Sequence, residues 1–396
     1  KGSELIRMLQ LLIGKKRFMN GIKNYIDKFD GTAATTEDFV VSVIEGAYLD
    51  DEIPSFNIDQ FQNWYYEAGT PKVYINQSWD PTTSTLNISF EQKSNCDLEN
   101  KNIEMVIPIL FSCYSRQNDS IPIIENSLFI LDQHKKELKI TDLCSEEKPP
   151  VLSIFRGFSA PVIWESDLSI DDYLFLFLHD NDYFTRWDSG QYLMLKIIKG
   201  RIENHVQFKL EERLIEAIKQ SINDLESKDP SLLSTLISLP GFSEIESLCE
   251  KVNPILINKE CIDFQVSIGL QLIKDLRRLT DKVLVNVDQR WPNGKGERQL
   301  LSKTWFYLAL VGDSQIIRNC VDSIANSSMT IARSALGALK LLDSPETEEA
   351  SNLFYDLWKE NPVVLDSWFA YEASRPHKHS ISVIEKLLAH PKFDWK

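Results

Sequence analysis

A chain of 396 residues exceeds the about 250 to 300 at which a single hydrophobic core stops growing, so two or three domains are expected. Hydrophobic residues at 43% and charged residues at 26% are globular composition and exclude a disordered chain. Fifty-eight acidic against 43 basic side chains leave a net charge of −15 with no Lys/Arg run, which argues against a nucleic-acid partner.

No stretch approaches the roughly 18 apolar residues of a spanning helix, the most apolar being Tyr173 to Leu178, so no membrane insertion is expected. Cys96, Cys113, Cys144, Cys249, Cys261 and Cys320 are scattered and lack the close CxxC pairs of zinc or redox sites. They read as free thiols in a reducing compartment, with disulfides in a secreted protein as the alternative.

Lys1-Gly2-Ser3 runs directly into an apolar face of Leu5, Ile6, Leu9, Leu12 and Ile13, with no initiator Met, which reads as a piece of something longer. Ser3 is a candidate cap for this first helix, which ends near Gly14. A second helix carries Phe18, Met19, Ile22, Tyr25, Ile26 and Phe29 and stops at Asp30-Gly31. Thr35 and Asp38 form a capping-box pattern ahead of a third, with Val40, Val43, Ile44 and Ala47 on its buried face. A fourth holds Ile58, Phe61, Trp64 and Tyr65 and ends before Gly69-Thr70-Pro71.

From Lys72 the apolar period changes to two. Val73 and Ile75, a turn at Asp80-Pro81, then Leu86, Ile88 and Phe90 predict a half-buried hairpin. Further strands are expected over Met105 to Phe111, Ser127 to Leu131, Glu137 to Ile140 and, last, Val151 to Phe155, forming a small antiparallel sandwich. Pro108 suits an edge or a bulge.

Beyond Ile170 the pattern is helical: Leu174 to Leu178, Tyr192 to Ile198, Leu210 to Ile222, Leu232 to Leu239, Ile262 to Val285, Trp305 to Val311, Ile331 to Leu342 and Asn352 to Trp358. Turns such as Pro240-Gly241, Asn253-Pro254 and Asn361-Pro362 join them, which predicts a curved solenoid-like array without a fixed repeat period. A last helix around Ile381 to Leu388 is followed by no capping element, so the array reads as incomplete at its C-terminal end.

The sequence offers no catalytic motif. HExxH is absent, and His377 and His379 stand at i, i+2 beside Pro376, a loop pair rather than a metal site. Asn293-Gly294-Lys295-Gly296 matches neither glycine-rich phosphate fingerprint and reads as an exposed turn. The acidic runs Asp50-Asp51-Glu52, Glu146-Glu147 and Asp171-Asp172 sit where helix starts or loops favour carboxylates. His179 to Gln191, HDNDYFTRWDSGQ, packs Asp180, Asp182, Arg186, Trp187 and Asp188 at the junction between strands and helices, and reads as a structural network built around an arginine.

Several stretches carry a resemblance. KGSELIRMLQLLIG at the start, DGTAAT at 30–35, Phe39 and WYYEAGTP at 64–71 resemble M1-family zinc aminopeptidases. RGFSAPV at 156–162, HDNDYFTRWDSGQ and Asp366-Ser367-Trp368-Phe369 resemble the bacterial aminopeptidase N (alanyl aminopeptidase) branch. The resemblance implies a multi-domain α+β chain in three parts. Residues 1–70 would be the helical tail of a thermolysin-like catalytic domain, 71–165 a β-sandwich, and 166–396 an α-helical C-terminal domain.

It further implies a zinc enzyme of the cytoplasm that removes N-terminal residues from peptides, acting as a monomer. The family's zinc ligands, its GxMEN motif and its transition-state tyrosine would all precede Lys1, and an NPNRxRSL-like segment would follow Lys396. Hence no catalytic, cofactor-binding or metal residue is expected at any numbered position, nor zinc in this chain, which would be inactive alone. A stand-alone helical-repeat scaffold or adaptor binding protein partners is the alternative reading.

Overall fold

A computed structural model describes residues 2–48, 53–93, 103–116, 121–143, 148–205, 207–288, 292–376 and 379–395. They gather into two compact units, Lys1–Ser189 and Gly190–Lys396.

The first unit opens with α1 (Gly2–Ile13), α2 (Lys15–Phe29), α3 (Thr36–Ala47) and α4 (Ile58–Tyr66). Leu5, Met8, Leu9, Leu12 and Ile13 bury one stripe of α1, and Gly14 ends it at φ 83, a value that costs glycine little. Ser3 lies inside α1 rather than capping it, because the helix begins one residue earlier. The Thr35–Asp38 capping box is present, with both reciprocal bonds made.

The α2–α3 contact rests on two glycines. A Cβ at Gly21 would stand 2.3 Å from the Val43 carbonyl oxygen, and one at Gly46 would stand 2.5 Å from Asn24 Cβ. Met19 and Ile26 are exposed, contrary to what their spacing suggests.

Seven strands follow among the described residues: β1 (Lys72–Asp80), β2 (Thr85–Lys93), β3 (Ile107–Tyr114), β4 (Pro122–Leu131), β5 (Lys135–Ile140), β6 (Val151–Ser153) and β7 (Ile163–Ser166). They form one sheet of order β5-β2-β1-β7 and another of order β4-β3-β6. The β1–β2 hairpin pairs Lys72 with Lys93 through to Asp80 with Thr85, and the Asp80 carboxylate accepts the Thr82 N–H at 2.9 Å in the turn. Phe90 stacks on Phe129 at 4.9 Å, bringing β2 against β4.

Two expectations are corrected here. The final strand is β7, beyond Pro161, and it runs parallel to β1, so the sandwich is not wholly antiparallel. Its four residues are too few to display alternation. The strand begun at Val151 stops at Ser153 because Phe155 turns to φ 53. Pro108 lies in β3, the middle strand, but β6 pairs only with Ser112 to Tyr114, so at Pro108 the strand is locally an edge.

Thirteen further helices complete the described elements. These are α5 (Ile170–His179), α6 (Tyr183–Ile202), α7 (Phe208–Leu225), α8 (Pro230–Leu236), α9 (Phe242–Glu246), α10 (Pro254–Gln271), α11 (Ile273–Leu284), α12 (Lys295–Leu310), α13 (Ser314–Asn326), α14 (Met329–Leu339), α15 (Pro345–Trp358), α16 (Pro362–Ser374) and α17 (Ser380–Leu388). In the second unit α12 packs on α8, α11 and α14, and from α13 onward each helix touches the next one or two in the chain, as in a stacked array.

The connectors turn out to be helix starts. Asp229, Asn253, Ser344 and Asn361 each cap a helix with a side-chain oxygen while the following proline takes the first helical position. The segment expected as one helix over 262–285 is broken at Leu272, φ −103 and ψ 13, into α10 and α11. Helices α9, α13 and α16 go beyond the expected segments. α9 has five residues, and α16 carries Val363, Val364, Leu365, Trp368 and Phe369 around its circumference, so neither shows one apolar face.

Gly21→Ala is expected to destabilise the chain by about 1–3 kcal/mol, since the new methyl meets backbone that cannot yield. Gly337→Ala, whose Cβ meets nothing within 4 Å, is expected to stabilise it by about 0.5–1 kcal/mol. Equal denaturation midpoints for the two variants would contradict this packing.

Candidate functional site

The most concentrated polar cluster of the first unit is built on the junction segment. Arg156, in the tight 3-10 turn Arg156–Phe158, points its guanidinium into the protein and is 2% exposed. Its Nη1 donates to Asp180 Oδ1 at 2.7 Å and to Ser153 Oγ at 3.1 Å, and its Nε donates to Asn126 Oδ1 at 2.9 Å. Nη2 donates to Asn181 Oδ1. Asn126 itself sits at φ 48, a left-handed conformation asparagine tolerates.

Asp180, also 2% exposed, takes a further bond from the Asp182 N–H at 2.7 Å. The Tyr114 hydroxyl stands 3.1 Å from Asp180 Oδ1 and accepts the Asn181 N–H at 3.1 Å. Burial pushes the Asp180 carboxyl above its ordinary value, and the Arg156 guanidinium works against that shift. Burial likewise raises the Tyr114 hydroxyl.

Asp182 extends the cluster. Its Oδ1 accepts from Gly157 N at 2.9 Å and from Thr185 N at 2.8 Å, so it caps the start of α6 and holds the 3-10 turn together. From the other side Arg7 of α1 donates to the Gly157 carbonyl at 2.6 Å and to the Phe158 carbonyl. One turn of chain is thus gripped by α1 and by the segment after α5. Trp187 lies 5.6 Å from Phe184, which in turn lies 5.3 Å from Phe158.

The arginine set against Asp180 is therefore Arg156. Arg186, the arginine the sequence pattern suggested, is buried and donates from Nε to the Phe177 carbonyl at 2.9 Å. No spacing rule pairs positions 156 and 180. The only local signal was an arginine directly before a glycine, and Gly157 does turn the chain at φ 56. A sealed ion pair of this kind cannot meet a substrate, and its chemistry is structural.

The remaining candidates are bland. Asp172 closes the capping box of α5 with Ser169 and pairs with Arg116. His379 precedes α17, while His377 lies outside the described residues, as do Asp50, Asp51, Glu52, Glu146, Glu147, Cys96 and Cys144. Cys113, Cys249, Cys261 and Cys320 are free thiols, and burial pushes Cys261 up to about 11. Asn293 lies exposed in a turn, as expected, while Gly294 is buried at φ 69 and leads into α12, which holds Lys295 and Gly296.

In the second unit two buried acid–base clusters tie helices together. Arg201 holds Glu211 through both oxygens at 2.9 and 2.8 Å, and Ser267 donates to Glu211 at 2.6 Å, joining α6, α7 and α10. Glu372 accepts from Arg375 at 3.2 Å and from Ser351 at 2.5 Å, while Trp368 Nε1 donates to Ser351 at 3.0 Å, joining α15 and α16. Among the described residues no three His, Cys, Asp or Glu side chains are placed to hold a metal ion. The described residues do not fit a zinc site. No described helix is long and apolar enough to cross a membrane.

A family described as "Domain of unknown function (DUF3458_C) ARM repeats" matches residues 170–396, more than half of the chain. The chain belongs to this family. Ahead of the DUF3458_C region, an Ig-like domain of unknown function (DUF3458) matches residues 69–167, and the Peptidase family M1 domain matches residues 1–65. ARM repeats are a helical array, as expected. Their period is hidden by unequal helices, from five residues in α9 to 20 in α6.

Aminopeptidase N of Escherichia coli K12 is 26% identical over 405 residues, which is 99% of this chain and 45% of the relative. Aminopeptidase N of Haemophilus influenzae is 26% identical over 411 residues and that of Caulobacter vibrioides 27% over 410, each covering 100% of this chain. Those matches take in 45% and 44% of the two relatives. The crystal structure of Legionella pneumophila aminopeptidase A in complex with aspartic acid shares the fold, with a TM-score of 0.85 at 23% identity over 99% of this chain and 45% of that one. The chain spans less than half the length of each relative.

Arg156→Ala is expected to destabilise the first unit by about 3–5 kcal/mol, because it leaves the Asp180 carboxylate buried without its cation. Adding Asp180→Asn should recover part of the loss. Arg186→Ala should also lower the melting temperature, by removing its bond to the Phe177 carbonyl. Unchanged melting temperatures for both arginine variants would contradict the network.

Proposed function

We propose that this chain is the C-terminal part of a zinc-dependent M1 aminopeptidase that hydrolyses N-terminal residues from peptides. Its helical region caps and shapes the chamber in which the parent enzyme works. What carries the reading is the combination of a peptidase-domain match at residues 1–65 with continuous similarity to three aminopeptidases N over 99–100% of the chain. A helical adaptor has no reason to begin with peptidase-domain sequence.

In this reading residues 1–70 complete the catalytic domain, 71–165 form the β-sandwich and 166–396 the helical domain. The three family matches, at 1–65, 69–167 and 170–396, support that division. Zinc, the catalytic residues and the peptide's reacting end belong to the rest of the parent, a cytoplasmic monomer. This chain supplies no catalytic, cofactor-binding or metal-ligating residue.

The purified 396-residue chain is expected to bind no stoichiometric zinc and to release no chromophore from an aminoacyl anilide. Atomic emission and a continuous anilide assay check both, and one zinc per chain or measurable turnover would overturn the proposal.

A further inference from the structure

The second unit holds a cleft of about 560 Å3 lined by one face each of three helices. α12 contributes Lys295, Arg298, Gln299, Ser302 and Lys303, at the spacing of one helical face. Ser234, Thr235 and Ser238 come from α8 and the residues after it, and Thr330 and Ser334 from α14. Gly296 lets α12 approach α8 closely. A Cβ there would stand 2.9 Å from Pro230 Cγ and 3.0 Å from Ser231 N, so α12 starts hard against α8.

Among the described residues three cations line the cleft and no carboxylate does, in a chain whose net charge is −15. Arg298 is anchored through the Val287 and Asn293 carbonyls at 2.9 and 3.1 Å. Neither Lys295 nor Lys303 forms an ion pair among the described residues. Lys303 is only partly exposed, and burial pushes its ammonium below its ordinary value. Most lysines in that position acquire a counter-charge, because desolvating an unpaired ammonium is costly.

Several hydrogen-bond donors around these lysines are uncommitted. Ser234 and Thr235 spend their hydroxyl protons on the Ser231 carbonyl, and Ser334 spends its own on the Thr330 carbonyl. Gln299 Oε1 is taken by Ser231 at 2.5 Å, which turns the amide so that its NH2 remains to donate. The Ser302 and Thr330 hydroxyls make no bond among the described residues. The uncommitted donors are two ammonium groups, two hydroxyls and one amide, while the hydroxyl oxygens of the cleft can still accept.

We propose that this cleft is a binding site for a small oxyanion, carboxylate or phosphate, held by Lys295 and Lys303 with Gln299, Ser302 and Thr330 completing its bonds. A cleft of this size accepts a small molecule or the end of a short peptide. The two sources share one chemistry, oxygen atoms carrying negative charge that accept charge-assisted hydrogen bonds. The assignment rests on residues of this chain alone and stands whether or not the parent is a peptidase.

Calorimetric titration of the 396-residue chain at constant ionic strength tests it, with inorganic phosphate in one arm and acetyl-Ala-Ala-Ala in the other. The peptide's C-terminal amide is the control. Saturable 1:1 binding of either anion supports the site and identifies the source, provided the amide does not bind. Lys295→Gln/Lys303→Gln should weaken that binding by about tenfold or more while the melting temperature holds. The exposed single variant Lys295→Gln keeps the test open if the double variant unfolds, and should also weaken binding.

Binding should weaken as pH rises through the range in which Lys303 loses its proton, because only the charged ammonium attracts the anion. Absence of saturable binding in both arms, equal binding of the amide, or affinity unchanged in the lysine variants would overturn the proposal.

Discussion

The architecture of the first unit depends on one buried ion pair. Arg156 and Asp180 are each 2% exposed, and neither charge is tolerable there without the other. Their geometry fixes the 3-10 turn after β6, the loop after α5 and the first turn of α6 in a single arrangement. Asp182 and Arg7 then reinforce the same turn by bonding its amide and its carbonyls. A strand-rich segment and a helix-rich segment meet over a network in which most donors and acceptors are engaged. Such a network contributes little net stability but penalises alternatives strongly.

The second unit is organised differently. Its helices are positioned by repeated cap-and-proline starts, by apolar faces, and by buried acid–base clusters such as Arg201 with Glu211 and Ser267. Each device joins helices that are near in the chain, so the array can extend without one central core. Where a cluster lacks its acid, as around Lys303, the imbalance is local and stands out against an otherwise acidic protein.

Much of this was legible in the residues. Period-two alternation at Val73, Ile75, Leu86, Ile88 and Phe90 located the first hairpin, and Thr35 with Asp38 marked a helix start, because both are local rules. β7 was not legible, since four residues paired to a strand some 90 positions earlier leave no periodic trace and owe their existence to tertiary pairing. The Arg156–Asp180 contact escaped for the same reason: arginine and aspartate side chains carry no record of distant partners. The cleft on α12 was half visible. Lys295, Gln299, Ser302 and Lys303 share a face by spacing alone, but only the fold brings Ser234 and Thr330 opposite them.

The central claim, that this chain completes an aminopeptidase, is tested most directly by sequencing the transcript upstream of the codon for Lys1. The account predicts an open frame continuing upstream into an HExxH motif. A stop codon followed by a start immediately before Lys1 would contradict it.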